Sequence, residues 1–148
     1  MNKPFAAAVC LILLLLLSAC GSKAVPETYR DTLAEAEKQI GFRLEAPESL
    51  NGSGTRTFRA AGRTLEIMYF DGKVVTGKIS KSDNHENISG MFNEYSELAT
   101  VNEYALYGNS ETGLAYLAVW KSGKYSYLVM NSFGTDAAEL TALCAGIR

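Results

Sequence analysis

The chain is poor in histidine, cysteine and net charge. It has one histidine, His85, and three cysteines. That supply is too small for a zinc site built from imidazoles and thiolates. Fourteen basic side chains face sixteen acidic ones, a formal charge of −2. Without a basic excess, neither nucleic acid nor a polybasic membrane patch is expected. There is no apolar run long enough to cross a bilayer. The longest, Phe5 to Leu17, has 13 residues. As a helix it spans about 20 Å, against a hydrocarbon core of about 30 Å.

That run is nonetheless the first organising feature. Lys3 precedes it and Leu17-Ser18-Ala19-Cys20-Gly21 ends it. A charged start, a short apolar stretch and small residues make a secretory leader. With cysteine at the end, the pattern resembles the bacterial lipoprotein signal, or lipobox. The resemblance implies a diacylglyceryl group on the Cys20 thiol and removal of residues 1–19. Two acyl chains make a stable anchor, at about 0.8 kcal/mol per buried methylene. Residues 20–26 are then the lipidated cysteine and a short tether, and 27–148 form one domain. The expected location is the extracytoplasmic face of the cell membrane.

Loss of Lys3 leaves 13 basic and 16 acidic side chains, formally −3. Cys10 leaves with the leader and Cys20 carries lipid, so Cys144 is alone and no internal disulfide is expected. It falls on a helical apolar pattern with Leu140, Leu143 and Ile147, which predicts a buried, inert thiol.

Periodicity outlines the domain. Tyr29, Leu33, Ala36 and Ile40 recur at helical spacing, predicting a helix over 27–40 with Pro26 at its start and Gly41 as its cap. Phe42 to Leu44 is a short extended piece. Strands follow at 55–60, 64–70 and 73–80, with Leu65, Ile67 and Tyr69 on one face and Asp71-Gly72 as a tight hairpin. Residues 81–96 read as a long polar loop. Further strands fall at 97–103, 104–107, 114–120 and 125–131. A last helix runs from Gly134 to Ile147, with Asp136 and Glu139 as a capping box. The expected fold is α+β: an antiparallel sheet of about six or seven strands with an N-terminal and a C-terminal helix packed on it. No internal repeat stands out.

Few motifs carry chemistry. Gly72 to Lys78 is a near-miss for a phosphate loop, but Ile79 replaces the required hydroxyl and a strand pattern runs through it. Ser82-Asp83-Asn84 matches one box of penicillin-interacting enzymes without its companion boxes, and no Gly-x-Ser-x-Gly elbow occurs. Asp83, Asn84, Glu86 and Asn87 lack calcium-loop spacing. No metal, cofactor or catalytic residue is assigned. Arg56, Arg59 and Arg63 cluster in sequence, as a solvated face or a site for an anionic partner. The candidate ligand-binding residues are Tyr116, Trp120, Tyr125 and Tyr127, aromatics on the last hairpin. Period-two spacing puts Tyr116 with Trp120 and Tyr125 with Tyr127. Such rings stack on sugars or peptides, or fill a core.

A wider pattern links these pieces. It runs through Gly41-Phe42 with Pro47, Ile67-Met68-Tyr69, Asn87-Ile88-Ser89-Gly90 with Asn93-Glu94-Tyr95, Leu117-Ala118-Val119-Trp120 with Gly123-Lys124-Tyr125-Ser126-Tyr127, and Glu139-Leu140-Thr141-Ala142-Leu143. It resembles small lipoproteins of Gram-positive bacteria. Their extracytoplasmic domain, of no assigned function, also ends membrane-anchored anti-sigma-factor-like proteins. The resemblance implies an α+β module outside the membrane and supplies no catalytic residues. Unlike the anti-sigma-like members, this chain shows no cytoplasmic part or true transmembrane helix, so direct control of a transcription factor is not expected. The leading expectation is a non-catalytic module that binds or senses an envelope protein, peptide or glycan. One rival is an interaction subunit docking through Ile88 to Tyr95 or a sheet edge. Another is an envelope hydrolase using His85.

Overall fold

The computed structural model describes residues 25–83 and 95–148. The fold is α+β, with eight antiparallel strands in one sheet and two helices. In chain order the elements are β1 (Val25–Arg30), α1 (Leu33–Ile40), β2 (Thr55–Gly62), β3 (Thr64–Asp71), β4 (Val74–Ser82), β5 (Ser96–Val101), β6 (Tyr104–Gly108), β7 (Ala115–Ser122), β8 (Tyr125–Thr135) and α2 (Ala137–Ala145). The order across the sheet is β1-β2-β3-β4-β8-β7-β6-β5. Two four-stranded meanders therefore meet along β4 and β8. Among the described residues, no helix is long and apolar enough to cross a membrane.

The eighth strand comes from the segment expected to start the first helix. Residues 27–30 are strand, and the sheet also takes in Val25 and Pro26, which the tether was expected to contain. Thr28 and Tyr29 favour extended backbone. The helix starts later because Thr32 caps it. The Thr32 hydroxyl accepts from the Glu35 N–H at 3.3 Å, and the Glu35 carboxylate accepts from the Thr32 N–H at 3.3 Å. This reciprocal box satisfies two donors that a helix start leaves open. Tyr29, expected on the apolar stripe, is instead 59% exposed on β1. Gly41 caps the helix end as expected, at φ 86°. At α2, Asp136 accepts from the Glu139 N–H at 2.8 Å. The Glu139 carboxylate turns to the Thr135 hydroxyl instead of completing the expected box.

The core lies on the face that the helices cover. α1 packs over β1 to β3 and α2 over β6 to β8. Pairing places Ile67, Ile79, Val129, Ala118 and Leu106 in one row across five strands. All five are fully buried. Each buried Leu, Ile or Val contributes about 1.5–3 kcal/mol. Leu44 and Leu50 add to this core from the connection between α1 and β2. Leu50 needs Gly77: a Cβ there would lie 2.2 Å from Leu50 Cδ2. The glycine of the near-miss phosphate loop thus makes room for a leucine. On the opposite face, buried Glu66 accepts from Arg59 Nε at 2.6 Å and lies 3.6 Å from Lys78 Nζ.

The strand ends define two poles. The near end holds Val25, paired with Gly62, together with the β2–β3, β5–β6 and β7–β8 turns and the end of β4. The far end holds the β3–β4 turn, the β6–β7 turn, the start of β5 and the end of β8. At about 3.3 Å per residue, β7 separates them by roughly 25 Å.

Candidate functional site

The four candidate aromatics divide between these poles. Trp120 and Tyr127 sit opposite each other on β7 and β8. Their rings stack at 5.0 Å with planes 8° apart, and Tyr104 meets Trp120 edge-on at 5.2 Å. Both are core residues, 7% and 5% exposed. Tyr125 is half-buried and packs on Phe42 at 5.2 Å. Trp120 and Tyr127 are closed to a ligand in this arrangement, and Tyr125 is partly covered by Phe42.

Their box has an occupant from the chain itself. Lys81, expected in a loop, lies in β4 on the core face and is 7% exposed. Its Nζ lies 4.5 Å from the Tyr125 ring centre, 5.2 Å from Tyr127 and 5.8 Å from Phe42. It donates to the Arg43 carbonyl at 2.6 Å. Burial pushes its pKa down, opposed by the charges of Glu45 and Glu37. Cation–π contact and one strong hydrogen bond hold the charge inside.

Tyr116 belongs to the far end. A register shift between Ala115 and Leu117 interrupts the simple alternation from Trp120. The Tyr116 ring stacks on Tyr95 at 5.3 Å, with planes 5° apart. Gly134, at φ 70°, lies close against it: a Cβ there would come within 2.8 Å of Tyr116 Cζ. Together Tyr95 and Tyr116 line a cleft of about 520 Å³, with Ser96 and Gly108 and the turn residues Asn109, Ser110 and Glu111. It is an open, largely polar depression rather than an enclosed apolar pocket.

The turn is built rigidly. Asn109 Oδ1 accepts from the Glu111 N–H at 2.8 Å and the Thr112 N–H at 3.1 Å. Its backbone carbonyl accepts from the Gly113 N–H at 2.8 Å, and its N–H donates to Leu114 at 3.0 Å. Asn109 is exposed and lines the cleft beside Ser110 and Glu111. Phe133, also at the far end, is 60% exposed. Tyr95 falls in the segment whose sequence reads as a polar loop. Only the folded chain brings it to Tyr116.

The other candidates are dispersed. Arg56 lies over the Phe58 ring at 5.5 Å. Arg59 pairs with Glu66 and Glu27, and Arg63 with Asp83 at 2.6 Å. The arginine cluster is therefore split between elements and faces, and offers no single anion site. Cys144 is buried, as expected, and burial pushes its thiol up to about 12. Among the described residues, no group of three or more His, Cys, Asp or Glu comes together. Cys20, His85, Asn84, Glu86, Asn87 and Ile88 to Glu94 lie outside the described residues. No family model, no curated protein and no solved structure matches this chain.

Proposed function

We propose that the protein is a lipid-anchored module on the extracytoplasmic face of the cell membrane, and that it binds a ligand in the far-end cleft without transforming it. One relationship carries this reading. The chain enters the sheet at the near end, where Val25 pairs with Gly62, whereas Tyr95 and Tyr116 stand at the other. Cys20 is five positions before Val25, a reach of at most about 18 Å. Lipid on Cys20 holds the near end at the bilayer and turns the cleft away from it. The Leu17 to Cys20 pattern supports the anchor. The lining supports the binding reading: two stacked tyrosine rings stand beside the polar turn residues 109–111.

The test is the mass of the protein extracted from membranes, wild type beside Cys20→Ala. A product that begins at Cys20 and carries acyl chains, lost in the variant, is expected. A wild-type product without lipid sinks the anchored reading.

A further inference from the structure

We propose that the far-end cleft is a saccharide site for an uncharged pyranose. The inference rests on the binding-module reading and gives it a ligand class. A pyranose has an apolar C–H face and a rim of hydroxyls. Its site therefore needs a flat ring beside convergent polar groups. The cleft has both. Tyr95 and Tyr116 offer flat rings that line the cleft, stacked parallel at 5.3 Å, with Gly134 close against Tyr116. Asn109, Ser110, Ser96 and Glu111 supply donors and acceptors along one wall. The hydrogen bonds within the 109–114 turn fix that wall before any ligand arrives. Such preorganisation reduces the entropy lost on binding.

Charge narrows the class. Glu111 is the one formal charge among the described lining residues, and no Lys or Arg is among them. Among the described lining residues no cation would offset that carboxylate for a phosphate, sulfate or uronate, whereas hydroxyls donate to it. A peptide strand fits less well. Gly108 already pairs with Ser96 on one side and Ala115 on the other, so among the described strands the open ladder is the outer side of the edge strand β5, which carries none of the turn residues 109–111. Among the described lining residues there is no Leu, Ile, Val or Met to receive an apolar peptide side chain.

The experiment uses mature protein extracted from membranes into a sugar-free zwitterionic detergent. Probes are tri-N-acetylchitotriose, maltotriose and, as a charged control, trigalacturonate. Saturation-transfer NMR reads contact with ring protons and calorimetry reads affinity. At least one neutral trisaccharide is expected to bind, with Tyr95→Ala weakening it about tenfold or more, near 1.4 kcal/mol. Glu111→Gln, on an exposed turn, is expected to weaken it about threefold at unchanged Tm. Retention on a chitin suspension, competed by the trisaccharide, identifies a polymer as the source; binding of the soluble sugars alone identifies free oligosaccharide. No saturation from either neutral sugar at about 10 mM overturns the proposal. So does binding that survives both substitutions, or preference for trigalacturonate. The mass of the same sample reports the anchor separately, so the two readings fail independently.

Discussion

The Lys81 ammonium lies 4.5 Å from the centre of the Tyr125 ring and reaches past it to the Arg43 carbonyl at 2.6 Å. A cation from β4 thereby fills the aromatic box and ties the chain after α1 to the sheet. Replacing it with methionine keeps the length of the side chain and removes the donor. Lys81→Met is expected to cost about 1–3 kcal/mol, through loss of the charge-assisted hydrogen bond and the cation–π contacts. A urea titration with unchanged slope measures it. Saccharide binding at the far end should not change.

Gly134 and Gly123 have similar backbone angles but different surroundings. Both have positive φ, 70° and 58°. A Cβ at Gly123 meets nothing within 4 Å, whereas one at Gly134 meets the Tyr116 ring at 2.8 Å. Gly123→Ala should cost about 1 kcal/mol, the left-handed penalty alone. Gly134→Ala should cost more, because Tyr116 must also move. It should weaken sugar binding too, while Gly123→Ala leaves it intact. Thermal melts and calorimetry on the two variants give the comparison.

Cys144 sets part of the alkaline limit. Its thiol is pushed up to about 12 from an ordinary 9.0, chiefly by burial. Below pH 9 both folded and unfolded states keep the proton, and the group has no effect on the pH slope. Above pH 9 the unfolded chain releases it and the folded chain does not, so stability falls. The loss is about 1.4 kcal/mol per pH unit, or about 4 kcal/mol by pH 12. Tyr69 and Tyr127, also raised by burial, add to the fall above pH 10. Cys144→Ala should reduce the slope between pH 9 and 10, before the tyrosines titrate. Chemical denaturation across that interval reads the difference.

The two poles make orientation measurable. Ser122 lies in β7 at the near end and Ser110 in the turn at the far end, both exposed. Each is changed to cysteine in turn and labelled with a fluorophore while Cys144 stays buried. In vesicles carrying a lipid-bound quencher, the probe at position 122 should be quenched more strongly than that at 110. Equal quenching would contradict an outward-facing cleft.

Much of this was legible in particular residues. Leu65, Ile67 and Tyr69 announced a strand with one buried face, and all three are fully buried. Seven of the eight strands follow from such alternation and from turn residues such as Asp71-Gly72. The eighth was hidden because Tyr29 fits the helical spacing of Leu33, Ala36 and Ile40. The Thr32 cap, decided by hydrogen bonds, breaks the pattern after it. Lys81 was hidden for the opposite reason: a charged residue in a core row reads as the end of a strand. Its rings come from β8 and the chain after α1, far away in sequence.

The site was only partly visible. Tyr116 was a candidate by residue type, but Trp120, Tyr125 and Tyr127 were equally good by that measure. Local spacing says which side chains can share a face; it does not say what covers that face. Alternation, turns and caps act over a few residues, so the sequence by itself determined seven of the strands, the last helix and the buried thiol. The fates of the four aromatics depended on sheet order. That order pairs β4 with β8, encloses Trp120 and Tyr127 with Lys81, and carries Tyr95 to Tyr116 at the pole opposite Val25. Contacts between residues distant in the chain exist only once the whole sheet has formed, and they alone separated core from cleft.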